Sequence, residues 1–286
     1  MLIEILLILL GALIAAVAGL VALRIRDARA DQTLRQDLLR HATGAAPRFE
    51  EAMLLDLPEP AARFFRFVIR PGTELKFVAV IRMSGTLALG SGGTPTEQPM
   101  TAEQVLAPPY GLLWQVRIKS ALRTTGSDAM NSAISWSRFR LFDVVPVARV
   151  AKNPDHFHSA FGRMVGEGLF WTPAAFLPAT HAGWDGLAWE ATGTNSAAVT
   201  VRLGQLEQRA EIAIEDDGRP TSVIFQRWSN ENANKVFRLQ PFGGDLTEFR
   251  DFDGYRLPTR VIGGNHYGTD LYRPFYKAEV ETIRFP

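Results

Sequence analysis

Cysteine is absent from this chain of 286 residues. Its absence excludes a disulfide framework, thiolate metal sites and a cysteine nucleophile, and leaves the redox compartment open. An excess of charge of either sign is also missing. Lys plus Arg number 31 against 30 Asp plus Glu, so there is no basic field to attract nucleic acid. The chain has no Gly-x-Ser-x-Gly elbow, no Walker A loop and no G-x-G-x-x-G opening a helix. No pair of carboxylates can be placed at glycosidase spacing from sequence. No residue is therefore singled out as catalytic, and no motif calls for a cofactor. What remains is a composition of 47% apolar and 21% charged residues, which fits a folded globular protein. The length suits one large β domain plus an anchor, or two small domains.

Residues 2–23 form a long apolar run interrupted only by Glu4. At 1.5 Å per residue the run just spans a hydrocarbon core of roughly 30 Å, and Glu4 lies near its end, where a charge reaches the interface. The reading is a single-pass membrane anchor over residues 1–23. The rival is a cleaved signal peptide, for which Ala16-Val17-Ala18 offers a small-residue cleavage pattern. Against the rival, no Lys or Arg precedes the run, and the run continues to Leu23. Arg24, Arg26, Arg29 and Arg35 follow it, so the positive-inside rule favours a cytoplasmic C-terminal domain. Gly11, Ala15 and Gly19 make a small-xxx-small stripe through which two anchors could pair as a homodimer; ordinary bilayer-helix composition is the favoured explanation.

Residues 24–57 read as a helical juxtamembrane stalk. Leu34 and Leu38 stand four apart, a break falls at Thr43-Gly44-Ala45-Ala46-Pro47, and Phe49, Met53, Leu54 and Leu57 resume helical spacing. Residues 58–286 read as a β-rich domain, opened by a short helix at 61–69. Alternation marks strands at 75–89, 112–120 and, less regularly, 134–142. On the second of these, Trp114, Val116 and Ile118 share one face while Gln115, Arg117 and Lys119 share the other. Residues 90–99 read as a loop. Further strands are expected at 199–203, 210–214, 221–228, 235–239, 246–252, 255–262 and 277–285. Asp217-Gly218 and Asp253-Gly254 mark hairpin turns, because Asp-Gly tolerates positive φ.

Between these halves lies FGRMVGEGLFWTPAAFLP, residues 161–178, within a helical insertion near 156–178. Arg163, Glu167 and Trp171 recur at i, i+4 and i+8 and share a helix face. Gly162 and Gly166 each cost a helix about 1 kcal/mol relative to alanine, which predicts close packing against another backbone. About ten closely spaced strands imply an antiparallel sheet that twists and curls. The expected fold is thus mainly β (α+β), a large curved antiparallel sheet or half-barrel. A central helical plug fills its concave face, and a transmembrane helix precedes it.

Arg163-x-x-x-Glu167-x-x-x-Trp171-x-Pro173 resembles a bacterial family known as domain of unknown function 6544. Leu57-Pro58, Arg63-Phe64-Phe65-Arg66, Ala107-Pro108-Pro109-Tyr110-Gly111-Leu112-Leu113-Trp114, Pro241-Phe242-Gly243-Gly244 and Gly254-Tyr255-Arg256-Leu257-Pro258-Thr259 are similar as well. One departure is that the family pattern Pro-Gly-Phe-x-Trp stands here as Pro109-Tyr110-Gly111-Leu112-Leu113-Trp114. The family has no assigned activity. Its layout looks like the curved half-barrel of periplasmic lipoprotein carriers, which implies, by analogy alone, a hydrophobic ligand.

The candidate ligand-binding residues are Arg163, Glu167, Trp171, Trp114 and Trp136. For Arg163 and Glu167 the competing reading is an ion pair that locks the plug to the sheet, and for the tryptophans it is ordinary core. His156-Phe157-His158 would place two imidazoles on one face of a strand, but a metal needs a third ligand, so no metal is assigned. The function expected is binding of a lipid or other hydrophobic ligand in the concavity, with the central helix controlling access. The alternatives are a scaffold module of a membrane complex, or a hydrolase using Glu167 as acid or base. A cavity beside Trp171 would speak for the carrier and a solid core for the scaffold.

Overall fold

A computed structural model describes residues 1–42, 46–89 and 96–286. The expected break at Thr43-Gly44-Ala45 and most of the expected loop at 90–99 lie outside the described residues. Two antiparallel meanders build one 13-stranded sheet. The first comprises β1 (Ala79–Leu89), β2 (Thr96–Ala107), β3 (Gly111–Ile118), β4 (Thr124–Asn131), β5 (Ser135–Leu141) and β6 (Val145–Ala151). The second comprises β7 (Gly186–Gly193), β8 (Ser196–Leu203), β9 (Leu206–Ile214), β10 (Pro220–Ser229), β11 (Arg238–Phe252), β12 (Tyr255–Asn265) and β13 (Arg273–Arg284). The meanders join where β1 pairs with β13, leaving β6 and β7 as the two edges. The connection between those edges is helix α3 (Pro154–Trp171), which lies across the concave face of the curved sheet.

Alternation assigns the two faces. Along β3, Leu112, Trp114, Val116 and Ile118 enter the core beneath α3, while Leu113 enters a second core on the convex face. Helix α2 (Glu59–Val68) closes one end of the concave core with Phe64, Phe65 and Val68. Both Asp-Gly hairpins are present. Ile214 pairs with Pro220, and Phe252 pairs with Tyr255, with positive φ at Gly218, Asp253 and Gly254.

Several expectations are corrected. Helix α1 (Leu2–Arg40) runs unbroken through the apolar segment and on for four further turns. Its C-terminal part is no free stalk: Asp27, Asp31, Leu34 and Leu38 are buried against the convex face. The resumed helix at 48–57 shrinks to one 3-10 turn, Glu51–Leu54. The strand expected from Leu75 begins at Ala79, because the preceding segment is tied to Tyr255 instead. The Lys76 N–H donates to Tyr255 Oη, which in turn donates to the Glu74 carbonyl, both at 2.8 Å. His156 and His158 are helical. Asn153 caps α3 by accepting from the His156 N–H at 3.0 Å, and Pro154 fills the first turn, where its missing N–H costs nothing.

Candidate functional site

Helix α3 faces the sheet with a chain of charged and polar groups. The Arg163 Nε donates to Glu167 Oε1 at 2.7 Å, and its Nη1 donates to Asp128 Oδ2 on β4 at 2.6 Å. Gln104 on β2 donates to Glu167 Oε2 at 2.6 Å. His156 Nε2 lies 3.3 Å from Asp128 Oδ1, and its Nδ1 lies 2.9 Å from Ser135 Oγ on β5. Burial alone would raise the Asp128 carboxyl, but His156 and Arg163 beside it hold it below its ordinary value. Burial would likewise lower Arg163, but Glu167 and Asp128 raise it instead. The chain pins one face of α3 to three strands. Both Glu167 oxygens are engaged, Oε1 by Arg163 and Oε2 by Gln104.

Beside this chain α3 leaves space. A cavity of about 540 Å³ lies between the helix and the sheet, lined by Trp114, Arg163, Glu167, Phe170, Trp171, Phe225, Phe242, Phe275 and Tyr276 among others. That size falls within the range of ligand pockets. Gly243 and Gly244 on β11 and Gly263 on β12 contribute bare backbone to the wall. A Cβ on Gly243 would come 2.3 Å from the Val223 carbonyl oxygen, so the strands approach too closely for a side chain there. Trp171 is fully buried and donates to the Pro258 carbonyl at 3.2 Å. Gly166 packs against the Phe225 ring and Gly162 against Gln208 and Phe225. The close approach expected of these glycines is real, but it is to side chains rather than backbone.

Two polar atoms of the lining, Trp114 Nε1 and Asp128 Oδ1, are buried among the described residues without a hydrogen-bond partner, although His156 Nε2 stands 3.3 Å from the second. Arg227 on β10 donates from Nε to Ser159 Oγ at 3.1 Å and lies 4.8 Å from the Phe242 ring centre, with the carboxylates of Asp128, Glu167 and Glu231 in its field. Burial and the like charge of Arg163 push it down to about 10. Arg227 was not visible as a site residue in sequence, since a lone arginine in a strand usually faces solvent.

Of the five expected ligand-binding residues, Arg163, Glu167, Trp171 and Trp114 meet at this cavity. Trp136 does not. Alternation along β5 turns it to the convex face, where it packs in the core beside Leu34 and Leu38, under the Arg138 guanidinium at 4.3 Å. That face carries a cluster the sequence reading missed. Asp27 pairs with Arg140 and accepts from Arg149 at 2.5 and 2.8 Å, with Arg138 at 3.5 Å. One turn on, Asp31 accepts from Ser127 Oγ at 3.2 Å and faces Arg138 at 3.5 Å. Burial would raise Asp27, but the hydrogen bond from Arg149 and the fields of the three arginines hold it below its ordinary value. Burial raises Asp31, Arg138 and Ser127 oppose the rise only in part, and Asp27 adds to it. The i, i+4 spacing of Asp27 and Asp31 was the available signal.

His158 stacks on Trp228 at 5.1 Å and does not join His156. Among the described residues, no group of three His, Asp or Glu stands where it would hold a metal. The apolar part of α1 has a mean hydropathy of 2.9 and none of it is buried.

A model of the Family of unknown function (DUF6544) matches residues 47–278. No curated protein matches the chain. Among solved structures, a LolA superfamily protein from Nitrosomonas europaea aligns with a TM-score of 0.41 at 11% identity, covering 79% of this chain and 91% of that one. A putative outer membrane lipoprotein-sorting protein domain from Vibrio parahaemolyticus aligns with a TM-score of 0.36 at 11% identity, covering 79% and 88%. Likeness at this level says nothing about a ligand.

Proposed function

The chain belongs to the DUF6544 family of unknown function, and from that premise we propose that it is a membrane-anchored protein that binds an amphiphile in the concave cavity. The observation that carries this reading is the cavity itself: about 540 Å³ beside Trp171, walled mainly by aromatic and aliphatic groups. Each methylene taken into such a site is favourable by about 0.8 kcal/mol. The polar end of the ligand meets Arg227 and the unpaired Trp114 N–H, so an anionic head group is the chemistry matched best. Arg163 and Glu167 hold the wall, and Trp171 forms its floor. Residues 2–23 anchor the domain in the membrane, and Arg24, Arg26 and Arg29 favour its cytoplasmic side.

The test is native mass spectrometry of the full chain, released from detergent, followed by organic extraction of any retained mass. The expected result is one amphiphile per chain, lost in a Ser137→Trp, Val261→Trp double variant that fills the cavity and keeps its circular dichroism. A chain that retains nothing and also fails to take up a dansylated fatty acid sinks the reading.

A further inference from the structure

One end of the sheet carries exposed apolar side chains in several of its connections. Because neighbouring strands alternate in direction, the β3–β4, β5–β6, β10–β11 and β12–β13 connections all leave the sheet at the same end. In these connections Leu122, Phe142, Val236 and Leu271 are 48%, 55%, 59% and 66% exposed. At the opposite end the connections are less apolar, with Leu55 and Ile134 exposed and Val150 exposed near the end of β6.

Helix α1 fixes where this end lies. Leu38 packs beside Gly111, Asp31 meets Gln115 and Ser127, and Asp27 meets Arg140 and Arg149. The helix therefore runs along the strands, and its N-terminal direction points to the apolar end. From Asp27 back to Leu23 is about 6 Å of helix. From Arg140 out to Phe142 is about 7 Å of strand. The β5–β6 turn thus comes level with the end of the apolar run, and Arg24 and Asp143 line one groove there. The Phe142 N–H donates to the Leu122 carbonyl at 3.0 Å, so the two side chains share one tip, next to Lys119 and Arg123. Glu231, His266 and Leu271, in the connections at the same end, line the cavity.

We infer that this end of the sheet rests on the lipid bilayer. Leu122 and Phe142 enter the interface beside α1, the adjacent cations meet anionic head groups, and the cavity opens toward the leaflet, so that an amphiphile passes between cavity and bilayer without crossing water. The inference rests on the reading of residues 2–23 as an anchor and of the cavity as an amphiphile site.

The natural lack of cysteine makes a direct test available. Single Leu122→Cys, Phe142→Cys, Leu271→Cys and Ile134→Cys variants of the full chain are spin-labelled and reconstituted into liposomes of phosphatidylcholine and phosphatidylglycerol. Collision rates with oxygen and with a water-soluble nickel chelate are then measured. The expected result is a severalfold preference for oxygen at positions 122, 142 and 271 relative to 134. Labels at 122 and 142 as wet as that at 134 overturn the docking, and a wet label at 271 alone overturns the membrane-facing mouth. A chain that does not float with the liposomes overturns the anchor and the docking together. None of these outcomes touches amphiphile retention, which is read separately by mass.

Discussion

Asp27 and Asp31 lie one helical turn apart on the buried face of α1, yet neutralising them should have opposite consequences. Asp27 is 2% exposed and faces three arginines, two of them buried with it. Asp27→Asn keeps the shape but leaves those cations without their main counter-charge. Removing one partner from a buried pair costs about 3–5 kcal/mol. Asp31 is held only by Ser127, Gln115 and a longer contact to Arg138, and its carboxyl is raised rather than lowered. Its charged form is disfavoured in the folded state, so Asp31→Asn should be neutral or stabilising, within about 1 kcal/mol. The pH dependence separates the two in the unsubstituted protein. Asp27, with a depressed pKa, contributes stability that is full above its ordinary value of 3.8 and is lost as pH falls toward its folded value. Asp31, with a raised pKa, imposes a cost at neutral pH that is relieved on acidification before 3.8 is reached. The assay is urea unfolding of the full chain in detergent, followed by far-ultraviolet circular dichroism at neutral and mildly acidic pH. A loss below about 1 kcal/mol in Asp27→Asn, typical of an exposed pair, would refute the claim that this cluster docks α1 onto the sheet.

On the concave face, Arg163→Met strands the carboxylates of Asp128 and Glu167 and should lower stability by about 3–5 kcal/mol, read from the urea midpoint. Gly166→Ala places a methyl 2.3 Å from the Phe225 ring and should cost about 1–3 kcal/mol by overpacking; Gly19→Ala, with nothing within 4 Å, should leave the same midpoint unchanged. Arg227→Met should separate ligand from fold. Its pKa near 10 means the charged form is disfavoured in the folded state below that pH, so the variant should fold at least as well while losing tenfold or more in affinity for a dansylated fatty acid. An unchanged affinity would remove Arg227 from the head-group site.

The strands that were legible are those whose two faces differ. Trp114, Val116 and Ile118 alternate with Gln115, Arg117 and Lys119 because β3 has an apolar concave side and a convex side meeting polar groups of α1. β4, Thr124–Asn131, was missed because its faces carry Asp128 on one side and Ser127 on the other. Both side chains are recruited by charged partners far away in sequence, so no apolar period of two survives. The single strand β11 looked like two because Pro241, Gly243 and Gly244 interrupt its pattern where the strands crowd together and the cavity needs bare backbone. Arg163, Glu167 and Trp171 were legible as neighbours because helical spacing alone puts them on one face, and all three line the cavity. Trp136 was misplaced because its fate depends on the parity of a short, irregular strand. Asp27 and Asp31 were not singled out because their partners lie more than eighty residues away.

The topology also decides what α3 can do. The helix links the two edge strands of the sheet, separated from β6 by two residues and held at the far side by the Trp184 and Trp189 indoles, which donate to the Ala175 and Phe176 carbonyls at 2.8 Å each. Lifting it would mean breaking the ion chain to β2, β4 and β5, burying no compensating surface, and dragging both edges with it. That would break several buried contacts at once. These contacts hold α3 as one wall of the cavity, and the connections at 230–237 and 266–272 stand at one end of it. These carry exposed side chains and local turn hydrogen bonds in place of core contacts.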